Sequence, residues 1–307
     1  MKLIFHIGAP KTATTSLQIT LRGMMAALNR EGVAYEPTRD FQQGPVGRIV
    51  RRDQGGFFDR FKKPSQQAYV ESRAAGMQQF LISDEGCTGF LMYPTVKRSW
   101  KRMLPRAFVL SDFFTAYPDY RVVLTVRRQD SFLASCYAHR IEHGRVDCTF
   151  EDYWKHEIDI NGMDWLTLVE GLVARHGRER VVVLPYEPIR NDFRSYVMTF
   201  IEHALAIPRE RFDDVSFETR VANKSLSGPA MAVAKVVAER MGEKGANPRD
   251  IHHVLLGLKS VLPIGEYGPF RPPMDELRAE LTRRYAASNR TIAERYMPVP
   301  AGDFLFA

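Results

Sequence analysis

His6-Ile7-Gly8-Ala9-Pro10-Lys11-Thr12-Ala13-Thr14-Thr15-Ser16-Leu17 follows the apolar stretch Leu3-Ile4-Phe5 and runs into an amphipathic segment, so the chain opens as strand, tight loop and helix. That order makes an anion cradle. Gly8 lets the backbone approach a bound group, the first-turn N–H groups of the helix point at it, and Lys11 adds a full positive charge beside them. Thr12, Thr14, Thr15 and Ser16 supply four hydroxyls. A Walker A loop places glycine directly before its lysine and four residues between its two glycines. Here Pro10 precedes Lys11 and only Ala9 and Pro10 separate Lys11 from Gly8, so the loop is a shorter one.

Further strand candidates follow at Phe80 to Ser83, Arg121 to Val126 and Arg180 to Leu184, alternating with helical patterns. Such alternation predicts an α/β fold in three layers, helices on both faces of a central parallel sheet. Leu17, Leu21, Met24, Met25 and Leu28 recur at three- and four-residue steps and predict one helix from Thr14 to Arg30, closed by Gly32, with a short strand at Val33 to Tyr35. Residues 40–63 are rich in Gly, Gln and Arg without sustained periodicity and read as an irregular excursion. From Asn191 onward the pattern is mainly helical, including a helix from Met274 to Tyr296. No internal repeat or linker divides the chain, so residues 1–307 read as a single domain.

The composition narrows the function classes. A hydrophobic content of 45% in 307 residues supports a substantial core. A net charge of +7 favours an anionic partner. Lysine and arginine are scattered, with no finger spacing, basic heptad helix or RNP-like aromatic motif, so a nucleotide or an anionic glycan ranks above nucleic acid. Cys87, Cys136 and Cys148 lack CxxC spacing and companion histidines, and they read as reduced packing thiols with no metal site. No apolar stretch approaches the roughly 18 residues of a membrane span, and the first ten residues read as a strand, so a cytoplasmic location without an integral membrane segment is expected.

The opening loop, Gly8-Ala9-Pro10-Lys11-Thr12-Ala13-Thr14-Thr15-Ser16, closely resembles the 5′-phosphosulfate loop of sulfotransferases that use 3′-phosphoadenosine 5′-phosphosulfate (PAPS), in particular bacterial and polysaccharide-type members. In that family a later strand ends in an arginine, and a serine eight residues on joins it at the cofactor's 3′-phosphate. Arg127 and Ser135, after the strand Arg121 to Val126, have that spacing. Arg128-Gln129 stands where the family usually carries Asn-Pro or Asp-Pro. The resemblance implies a P-loop-like phosphosulfate site formed by residues 8–16, with Lys11 as the electrophilic catalyst. Ser83-Asp84-Glu85 resembles the family's Ser-x-Glu stretch, which implies Glu85 as the base, with Asp84 second. Asn223 and Lys224 lie where relatives place a late cofactor contact, and Tyr186-Glu187 resembles a structural Tyr-Glu pair.

The resemblance therefore implies transfer of a sulfuryl group from PAPS to an acceptor hydroxyl or amine, with no metal required. The basic balance points to a saccharide with acidic groups, while a lipid-linked saccharide and a small phenol stay open as acceptors. Two other readings stay open: an ATP- or GTP-dependent phosphotransferase with Asp84 on magnesium, and a nucleotide-binding protein that acts through partners without turnover. His6 reads as a core or supporting residue of the first strand. His139 and His143 lie a turn apart on one helix face; that spacing suits a metal but no third ligand is evident, and an acceptor pocket and a solvated face are both compatible with it.

Overall fold

Five apolar runs form one sheet. The structure is a computed structural model and describes residues 1–44, 64–85, 117–143, 148–217 and 226–305. Strands β1 (Lys2–His6), β2 (Val33–Glu36), β3 (Gln79–Ser83), β4 (Tyr120–Val126) and β5 (Val181–Pro185) stand in the order β2-β3-β1-β4-β5, all parallel. With β1 between β3 and β4, all three carboxyl ends open on one edge, where an open α/β sheet binds its ligands.

Both faces of the sheet are covered, which is why its strands read as continuous apolar runs instead of alternating ones. Leu3, Phe5, Ile7, Phe80, Ile82, Val122 and Leu124 belong to one buried cluster, and Ile4, Leu81, Val123 and Leu184 to the other. Helices α1 (Thr14–Gly23) and α2 (Met25–Arg30) pack on the second face through Leu17, Leu21 and Leu28. The expected single helix is thus two, pinched at Met24 after Gly23, a residue with low helical propensity. The excursion also starts later than its composition suggested, because Thr38–Gln43 forms helix α3; residues 45–63 lie outside the described residues.

The longer helices among the described residues after α3 are α4 (Pro64–Arg73), α5 (Gln129–Glu142), α6 (Trp165–His176), α7 (Phe193–Phe200), α8 (Gly228–Glu243), α9 (Pro248–Val261) and α10 (Asp275–Arg295). The mainly helical reading of the chain after Asn191 holds across them. Leu277, Leu281, Tyr285 and Ile292 of α10 join the first cluster, and Asn289 exchanges two hydrogen bonds with Gln129 of α5, at 3.0 and 2.9 Å. That buried amide pair fixes the long carboxyl-terminal helix against the helix that follows β4.

Candidate functional site

The loop between β1 and α1 is shaped by its backbone. A Cβ on Gly8 would lie 2.5 Å from Thr14 Cγ2 and 2.8 Å from His6 Nε2, so no larger residue fits without displacement. Lys11 and Ala13 adopt left-handed φ angles of 65° and 59°, conformations that cost a residue bearing a Cβ about 1–3 kcal/mol each. Left-handed residues within a turn gather N–H groups toward one concavity, the basis of an anion nest. Ala13, at the N-cap of α1, makes no side-chain cap hydrogen bond. Thr12 differs from its expected part: its hydroxyl donates to the Ala9 carbonyl at 2.5 Å and holds the loop closed.

Directly behind this loop three central strands are tied together by side chains. His6 Nδ1 meets Ser83 Oγ at 2.9 Å and Nε2 meets Thr125 Oγ1 at 3.2 Å, linking β1 to β3 and β4. Burial drives the His6 pKa down to about 3, so the imidazole is neutral, consistent with a supporting position.

β4 delivers Arg127 beside the loop because β4 is hydrogen-bonded to β1. Its Nη1 donates to the Lys11 carbonyl at 2.6 Å and its Nε to Ser131 Oγ at 2.9 Å. The guanidinium also lies 4.2 Å from the centre of the Tyr186 ring. The register of β4 with β5, Val126 opposite Pro185, sets Tyr186 alongside it. Trp165 Nε1 donates to the Arg127 carbonyl at 2.7 Å, so backbone and side chain are both held. Arg127 and Ser135 share the wall of a cavity of about 800 Å³, together with Ser131, Phe270, Arg271 and Arg278.

Arg128 also reaches that wall but is otherwise engaged. Its fork grips buried Asp130, Nε to Oδ1 at 2.7 Å and Nη2 to Oδ2 at 3.1 Å, and Nη1 donates to the Asp303 carbonyl at 3.0 Å. Burial alone would raise the pKa of Asp130, but the hydrogen bonds from Arg128 and Arg278 outweigh it and hold the carboxylate below its usual value. Arg128 therefore anchors the start of α5 to the carboxyl-terminal segment.

At the end of β3, Asp84 and Glu85 diverge in surroundings. Asp84 is buried, receives Gln42 Nε2 of α3 at 2.8 Å, and its N–H donates to the His6 carbonyl at 3.0 Å. Glu85 faces Lys11 electrostatically. Desolvation pushes its pKa up to about 7, with the Asp84 charge adding to the rise and Lys11 opposing it. Lys11 is lowered chiefly by desolvation, while Glu142 and Glu85 counter that effect. A carboxyl with its pKa raised to about 7, in the electrostatic field of a desolvated ammonium, has the properties a general base and an electrophile require.

His139 and His143 lie at the far end of α5, their ring centres 3.9 Å apart, and His143 stacks on His252 of α9 at 4.4 Å. Burial, with Lys11 and the neighbouring histidines, depresses the His139 pKa to about 2. Among the described residues no group of three or more His, Cys, Asp or Glu side chains is arranged to hold a metal ion, and no helix is long and apolar enough to cross a membrane.

The fold thus gathers Lys11 and the loop, Glu85, Arg127 and Ser135 at one sheet edge. Asn223 and Lys224 lie outside the described residues, as does Cys87. Sequence reasoning missed Ser131, Tyr186, Arg271 and Arg278 as parts of this site. Ser131, one helical turn after Arg127, was open to discovery by spacing; the other three reach it only through strand register and the return of the chain near α10.

No protein-family model and no curated protein matches the chain. Among solved structures, the chain is similar to the crystal structure of a sulfotransferase from Alicyclobacillus acidocaldarius. The identity is 16% and the TM-score 0.42, over 80% of this chain and 97% of that one.

Proposed function

We propose that this chain is a sulfotransferase that moves the sulfuryl group of PAPS to a hydroxyl of a saccharide acceptor. The observation that carries the reading is the position of Arg127: it touches the anion loop at Lys11 and also lines an arginine-rich cavity containing Ser135. Two anion-holding poles joined by one buried guanidinium suit a nucleotide with phosphates at both its 5′ and 3′ positions. An 800 Å³ cavity has room for its adenosine.

In this reading Glu85 accepts the proton of the acceptor hydroxyl as that oxygen forms its bond to sulfur. The bond from sulfur to the phosphate oxygen breaks, and the phosphate leaves with the electron pair. Lys11 and the first-turn N–H groups of α1 stabilise the charge that develops there, a preorganised donor contributing about 3–4 kcal/mol to such a step. Desolvation around Lys11 strengthens its field at the reacting atoms.

The test compares affinity for adenosine 3′,5′-bisphosphate in EDTA with affinity for ATP plus magnesium. Preference for ATP with magnesium would support the phosphotransferase alternative and sink this one. With a radiolabelled sulfuryl donor, the wild-type chain should label the saccharide fraction of an extract. Glu85→Gln should abolish labelling while keeping bisphosphate affinity within about twofold of wild type, as expected for a group acting on the proton. Binding without any transfer by the wild-type chain would favour a non-catalytic role, and label in phenolic fractions alone would reject the saccharide.

A further inference from the structure

Arg127 does more than face the cavity. Its Nη1–H donates to the carbonyl of Lys11, the residue whose backbone is left-handed at φ 65°. A left-handed lysine persists only where its surroundings over-determine it. The described contacts converge on Arg127: its Nε donates to Ser131 Oγ, the Tyr186 ring centre lies 4.2 Å from its guanidinium, and Trp165 Nε1 donates to its backbone carbonyl. One planar cation therefore holds the loop at one end and presents itself to the cavity at the other.

We infer that Arg127 is a positioning residue for the anion loop and couples the two ends of the nucleotide site, so that filling the 3′ pole preorganises the 5′ pole. The inference rests on the nucleotide reading above, but its signature lies with ligands that never touch the 3′ pole. An anion in the cavity that fixes the guanidinium also fixes the Lys11 carbonyl, and the loop then enters its binding conformation at lower entropic cost. By linkage the effect is reciprocal. Were Arg127 only a contact for the 3′-phosphate, its replacement would leave binding at the 5′ pole unaffected.

The experiment measures calorimetric affinities of the full chain for adenosine, AMP, adenosine 3′-monophosphate and adenosine 3′,5′-bisphosphate, in wild type, Arg127→Lys and Ser131→Ala. Lysine retains the charge but cannot reach Ser131 and the Lys11 carbonyl as a fork. AMP, which lacks a 3′-phosphate, should bind about tenfold more weakly to Arg127→Lys, the scale of one charge-assisted hydrogen bond. In wild type the two phosphates together should add more affinity than the sum of each alone, and the excess should vanish in Arg127→Lys. Unchanged AMP affinity would overturn the inference while leaving the sulfotransferase reading intact. If the chain instead prefers ATP with magnesium, that reading fails and the coupling is measured with ATP in place of AMP; absence of binding to any of these nucleotides overturns both. Amide hydrogen exchange on the nucleotide-free variants supplies a second measure. Residues 8–16 should exchange faster in Arg127→Lys with β1 and β4 unchanged, whereas acceleration throughout the sheet would reduce Arg127 to a structural residue.

Discussion

Asp84→Asn should move the titration of Glu85 downward, and the size of the shift separates the two causes of its unusual acidity. The Glu85 pKa stands at about 7 against an ordinary 4.5, with desolvation the larger cause and the adjacent Asp84 charge a smaller one. At 1.36 kcal/mol per pH unit the rise corresponds to roughly 3 kcal/mol of disfavoured ionisation. Asparagine removes the like charge and retains an oxygen for Gln42 Nε2, which now sits 2.8 Å from Asp84 Oδ1. The midpoint should therefore fall by about one pH unit but stay above the ordinary value, because desolvation persists. Carbon-13 titration of the glutamate carboxyls measures it directly, with the Glu85 resonance identified by its loss in Glu85→Gln. Transfer should follow the same curve: below the midpoint the base is protonated, and the rate should fall about tenfold per pH unit. A wild-type midpoint near 4.5, or an upward shift in Asp84→Asn, would refute the electrostatic account of this carboxyl.

Gly8→Ala should lower stability by about 1–3 kcal/mol, the usual cost of forcing a methyl into a packed site, because its Cβ would meet Thr14 and His6 at 2.5 and 2.8 Å. Thermal denaturation reads this, and an unchanged midpoint would mean that the loop relaxes freely. His6 should give an acid-sensitive contribution. Above pH 6.5 both folded and unfolded chains hold it neutral, whereas between 6.5 and about 3 only the unfolded chain takes up a proton, so stability falls as pH falls. Denaturant titrations at pH 7 and 4.5 should show wild type losing about 2–3 kcal/mol more than His6→Gln, and equal losses would show that the imidazole protonates without unfolding.

Much of the fold was legible because its signals are local. The strand positions, the loop and the helix from Asp275 follow from apolar periodicity, and a sheet covered on both faces leaves continuous apolar runs in the sequence. Boundaries were less secure: Gly23 divides the first helix, and Thr38–Gln43 is helical although its composition looks irregular. Short helices depend on tertiary packing for their stability, and six residues are too few to display a period.

What the sequence determined by itself is a first strand, a short loop with Gly8, Lys11 and four hydroxyls, and a helix after it, with residue types suited to a base and an anion contact farther along. Those features depend on neighbours within a few positions. Only the tertiary structure decided that Lys11 and Glu85 share one electrostatic environment and that Arg127, 116 positions from Lys11, donates to its carbonyl. It likewise decided that Arg128 serves Asp130 and Asp303 and that Tyr186 backs Arg127. Strand order and register set these contacts. The free energies that select them arise from burial of both sheet faces at once, a property of the assembled layers that no local pattern contains.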